Sequence, residues 1–107
     1  MTALSEQEFR LKSDAALEEA RRSLMALADE DDFEIELQNG VLNLVFEEPA
    51  ETKFVVSPNT PMRQIWVSAM AKSYKLSWDG DRGLFAWNGE SLTDLLTRLS
   101  REFLERG

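Results

Sequence analysis

Apolar and small residues recur at spacings of three and four from position 9 onward. Phe9, Ser13, Ala16, Leu17, Ala20, Leu24 and Leu27 fall on one helical stripe. The pattern predicts a helix over 5–28. Ser5 with Glu8 three residues later forms a capping box at its start, and Glu6 and Glu8 suit the positive end of the helix dipole. The opposite face carries Asp14, Glu18, Arg21, Arg22 and Met25. The stripe is read as a core face.

The period then changes from 3.6 to 2. In FEIELQNGVLNLVF (33–46), Asn39-Gly40 is the preferred pair for a two-residue hairpin turn between alternating segments. Pairing Gln38 with Val41 sets Leu37 against Leu42, Ile35 against Leu44 and Phe33 against Phe46, all on one side of the sheet. The other side receives Glu34, Glu36, Gln38, Val41, Asn43 and Val45, a mixed and wet surface. Further strands are predicted at Lys53–Ser57, Gln64–Ser68, Tyr74–Trp78 and Leu84–Trp87, separated by turn clusters at 57–61 and 79–83. A second helix starts at Ser91 with Asp94 at its third position. Its stripe is Leu92, Leu95, Leu96, Leu99 and Phe103, and Arg101 and Arg106 lie near its negative end. A helix, about six strands in meander and a second helix predict an α+β fold. In this two-layer α-β sandwich, both helices pack on one face of an antiparallel sheet. At 107 residues the chain makes a single domain.

Charge changes this picture by breaking its symmetry. Twenty acids against twelve bases give a net charge of −8. Residues 1–51 hold 14 acids and 4 bases, a net of −10, whereas 52–107 hold 6 and 8, a net of +2. Such a field makes nucleic acid and membrane surfaces poor partners and favours cations or basic protein surfaces. The absence of Cys removes disulfides, thiol nucleophiles and cluster ligation, and the absence of His removes the commonest general base and metal ligand. Any metal must therefore sit on oxygen ligands. The N-terminal MTALSEQEF has neither an h-region nor transit-peptide character, which suggests a cytoplasmic protein.

Two features could carry function. Residues 29–36 (DEDDFEIE) place six carboxylates in eight positions, read here as a connector between helix and strand. Mutual repulsion and an unfavourable dipole make this run costly. It is either a site for cations or a basic partner, or a solvated connector. In QIWVS (64–68), Ile65 and Val67 alternate with Gln64, Trp66 and Ser68. With the aliphatic pair inward, Trp66 stands on the open face among polar groups, as an interface anchor does. The reversed register would bury Trp66 and Gln64 together. Lys75 shares the Trp66 face, while Trp78, Phe85 and Trp87 are expected in the core. No phosphate loop, dinucleotide fingerprint or nucleophile elbow is present, so nothing argues for an enzyme.

Several of these segments together match one family. NGVL (39–42), TPxxQIWVS (60–68), Trp78 with Gly80 and NGxSLxxLL (88–96), preceded by an acidic helix, resemble frataxin and the bacterial frataxin-like proteins. The resemblance spans essentially the whole chain. It implies a non-enzymatic role in iron–sulfur cluster assembly, with the cysteine desulfurase and the scaffold protein as partners, and a protein that acts as a monomer. It implies partner contacts at Gln64 and Trp66, and at Asn59 in the preceding loop; Lys75, placed on the same face by alternation, joins them as a candidate contact. It also implies weak surface binding of Fe²⁺ or Fe³⁺ along an acidic ridge of Asp14, Glu18, Asp29, Glu30, Asp31, Asp32 and Glu34. A stand-alone iron chaperone or store is the alternative role. Where relatives extend the ridge late in the first helix, this chain has Arg22, Met25 and Ala26.

Overall fold

The computed structural model describes residues 4–105. Arg106 and the first three residues of the N-terminal segment lie outside them. The order is α1 (Glu6–Asp31), β1 (Glu34–Gln38), β2 (Val41–Phe46), β3 (Thr52–Asn59), β4 (Gln64–Ala69), β5 (Lys72–Asp79), β6 (Leu84–Trp87), β7 (Glu90–Ser91) and α2 (Leu92–Leu104). The seven strands form one antiparallel sheet in sequence order. Both helices lie on the same face of it and feed one core. Among the described residues no helix is long and apolar enough to cross a membrane.

Local chemistry accounts for most of these elements. The Ser5 hydroxyl accepts from the Glu8 N–H (3.1 Å) and the Glu8 carboxylate accepts from the Ser5 N–H (3.0 Å), closing the predicted capping box. The second bond, from the Ser5 backbone N–H, holds the Glu8 carboxyl below its ordinary range. The stripe is buried at Phe9, Ser13, Leu17, Ala20, Leu24 and Ala28. The hairpin has the predicted register, with Leu37 opposite Leu42 and Ile35 opposite Leu44. Phe33 sits just before β1 and stacks on Phe46 at 4.5 Å between ring centres. Phe46 also meets Phe54 (4.9 Å) and Phe103 (5.0 Å), so it joins the sheet to α2.

Four expectations need correction. The first helix runs three residues past 28, ending where Asp32 turns into the left-handed region (φ 59°) and donates its N–H to Ala28 O. A short polar side chain tolerates that conformation, and Phe33 is then delivered to the core. The sheet has seven strands rather than about six, because Ser91 is extended and pairs with Ala86 while also capping α2. Asn59 ends β3 instead of lying in a loop. β2 pairs with β3 only as far as Val56, so Pro58 lacks a neighbour there that would need its missing N–H. Finally, Trp78 and Trp87 are half-buried at the edge of the core, against Phe85 and Tyr74 respectively.

One ion pair ties the last strand to α2. Arg98 donates from Nε and from a terminal nitrogen to the two Glu90 carboxylate oxygens at 2.8 and 2.7 Å. This hydrogen bonding holds the Glu90 carboxyl below its ordinary range. A depressed carboxylate stabilises the fold above its unfolded pKa, and that contribution is lost as pH falls through the folded value. Glu90→Gln is therefore expected to lower Tm at pH 7 by the equivalent of less than about 1 kcal/mol. The gap to the parent protein should narrow as pH drops below about 4.3. Thermal unfolding of both proteins from pH 7 to pH 3 checks this, and a gap that widens in acid contradicts it.

Candidate docking face and acidic ridge

The helices cover one face of the sheet and leave the other open. On β4, Ile65 and Val67 are buried beneath the helices, which turns Gln64, Trp66 and Ser68 outward. The predicted register therefore holds. Antiparallel pairing lines up Ser57, Trp66 and Lys75 across β3, β4 and β5, and places Asn59, Gln64 and Ser77 in the next row.

Contacts between these rows fix the indole. Trp66 Nε1 donates to Gln64 Oε1 at 3.0 Å, and Gln64 Nε2 donates to Ser77 Oγ at 3.3 Å. Lys75 Nζ lies 4.8 Å from the centre of the Trp66 ring, within cation–π reach. Trp66 is consequently half-buried on the open face. Its polar edge is satisfied, and its ring is pre-positioned rather than waving in solvent. Asn59 plays a different part: its Oδ1 accepts from the Met62 N–H at 3.0 Å and closes the turn at 60–63. Arg63 secures that turn through Nε to Leu4 O at 3.0 Å and through a further bond to Thr60 O. Ser77 and Arg63 were not singled out from the sequence. The alternation that placed Lys75 on the open face also places Ser77 there, whereas the reach of Arg63 to Leu4 has no local signature.

The carboxylates are arranged less compactly than their spacing suggested. Asp14, Glu18, Asp29, Glu30 and Asp31 all lie on α1, Asp32 is its C-cap, and Glu34 begins β1. Successive helical residues point about 100° apart, so Asp29, Glu30 and Asp31 diverge. Among the described residues no three Asp or Glu side chains are grouped so that they could hold a metal ion. Glu18 is engaged by Arg21, at 3.0 Å through Nε and 2.5 Å through a terminal nitrogen, with Arg22 at 3.5 Å. The Arg21 hydrogen bond holds its carboxyl below the ordinary range. Glu30 and Asp31 flank a hollow at the ends of the two helices that also contains Arg101. The arrangement is an acidic strip along α1 and the β1 edge, interrupted by Arg21, Arg22 and Met25.

The chain matches known proteins over most of its length. The family model described as a frataxin-like domain matches residues 2–106. The chain belongs to the frataxin family. Among its relatives is the iron-sulfur cluster assembly protein CyaY of Ralstonia nicotianae, 33% identical over 100 residues, which cover 92% of this chain and 87% of that protein. The protein of the same name from Pseudomonas aeruginosa is 33% identical over 81 residues, 74% of this chain and 72% of its own. The two helices and antiparallel meander expected from the hydrophobic pattern are thus the architecture of this frataxin-family chain. Within this frataxin domain the open sheet face carries the anchored tryptophan, and the −10 half of the chain supplies the charge.

Proposed function

We propose that this frataxin-family chain acts in iron–sulfur cluster assembly as a non-enzymatic regulator that docks on the cysteine desulfurase and the scaffold protein. The carrying observation is Trp66, held on an uncovered sheet face by Gln64 and Lys75. A half-buried, pre-positioned aromatic on an open surface is the usual form of an interface hot spot. The acidic strip of α1 and β1 supplies steering toward a basic surface of the desulfurase, because charges at the rim of an interface act mainly on the rate of encounter. Asn59 contributes by holding the 60–63 turn beside the anchor.

Binding of the chain to its cognate desulfurase, measured against ionic strength, tests this reading. Asp31→Lys with Asp32→Lys is expected to slow association about tenfold at low salt and to flatten the salt dependence. An unchanged association rate and salt slope would remove the strip from the docking mode.

The same acidic strip is the candidate for weak iron binding. The strip offers hard oxygen ligands in ones and twos, which suit hard cations with low affinity and little selectivity. Fe²⁺ is expected to perturb amide signals of 14–34 in the millimolar range, and neutralising Asp29, Asp31 and Asp32 is expected to abolish the effect. Identical perturbations with Mg²⁺ would show general carboxylate binding without preference for iron. The stand-alone iron carrier gains no support from the way Arg21 occupies Glu18.

A further inference from the structure

A cleft of about 270 Å³ opens on the helix side of the sheet, away from Trp66, between α1, the start of α2 and β6. Its apolar walls include Trp78, Phe85, Leu92 and Ala16, and two α1 residues of opposite charge line it, Lys12 and Glu19. These two stand seven residues apart on α1, a rise of about 10 Å. Lys12 Nζ rests 5.2 Å from the centre of the Trp78 ring. Neither Lys12 nor Glu19 has an ion-pair partner within 4.0 Å among the described residues, whereas Glu6 is paired with Arg10 and Glu18 with Arg21.

We propose that this cleft is a docking site for one aromatic side chain of a partner protein, presented between an acidic and a basic residue on an extended segment. Size suits a single side chain: at about 270 Å³ the cleft stands at the small end of the roughly 300–1,000 Å³ usual for ligand pockets. Chemistry argues for the flanking charges. A carboxylate of the segment meets Lys12 at one end, an ammonium or guanidinium meets Glu19 at the other, and the aromatic ring enters against Trp78. The site lies on the opposite layer from the Trp66 face, so a segment bound here leaves that face free. The two surfaces are independent, and failure of one leaves the other standing.

The test uses the full chain and a capped pentapeptide, Asp-Gly-Phe-Gly-Lys, followed by the indole and amide signals in NMR. Saturable shifts at the Trp78 indole, Lys12 and Thr93 are expected with a Kd of about 1 mM, and the Trp66 indole should stay in place. Lys12→Glu should weaken binding about fivefold. Adding Glu19→Lys to it should restore affinity, because a short extended peptide can enter in the opposite sense. The restoration also separates a charge effect from damage to α1. A motionless Trp78 indole, equal binding of Gly-Gly-Phe-Gly-Gly, or failure of the double exchange to recover affinity overturns the proposal.

Discussion

Phe46→Ala is expected to destabilise the domain by about 3–5 kcal/mol, the range for emptying an aromatic site in a close-packed core. Phe46 is 1% exposed and touches rings from three different segments, Phe33, Phe54 and Phe103. No single neighbour can move into the gap without abandoning another, so collapse recovers little. Domains of this size have about 5–15 kcal/mol in total, and a loss on this scale should lower Tm by more than about 10 °C. The adjacent Val45 provides the contrast. It points to the open face and is half-buried, so Val45→Ala should cost about 1 kcal/mol. Thermal and urea unfolding of both variants decides the matter. Comparable losses at 45 and 46 would mean that the sheet is covered on both faces.

The parts of this fold that were legible in the sequence are those specified by near neighbours. The β1–β2 hairpin carries its own turn chemistry in Asn39-Gly40, both with positive φ (53° and 76°). Its register then follows from matching apolar positions. The β4–β5 hairpin uses the same kind of two-residue turn at Met70-Ala71, also with positive φ (51° and 64°), but with residues that do not announce it. Without that turn the partner of Trp66 across the strand is undefined. Alternation could therefore put Trp66 on the open face and not foresee that Lys75 and Gln64 would half-cover it. The end of α1 shows a different limit. Acids at a helix C-terminus oppose the dipole, so by sequence alone the run 29–36 reads as a connector. The helix continues because its next residue but one is Phe33, whose stacking on Phe46 rewards the longer path. That extension also turned a dense linear run of carboxylates into a divergent one.

Trp66→Ala is expected to weaken binding to the desulfurase–scaffold assembly by at least about 30-fold, the ordinary scale of an interface hot spot. The same substitution should change the stability of the free domain by about 1 kcal/mol or less, since the ring packs on an open face and forfeits chiefly its contact with Lys75 and its hydrogen bond to Gln64. This separation of binding from stability is what distinguishes an anchor from a core residue. Two further variants divide the contribution of the ring from that of its mounting. Trp66→Phe keeps an aromatic face beneath Lys75 and loses the indole bond to Gln64, so an intermediate loss is expected. Lys75→Ala leaves the indole bond intact and frees one face of the ring. If pre-positioning matters, its effect should appear as slower association together with faster dissociation. Calorimetry and kinetics on the four proteins provide the test. Unchanged affinity in both Trp66→Ala and Lys75→Ala would mean that the partner binds elsewhere, and that the uncovered face of the sheet is not the docking surface.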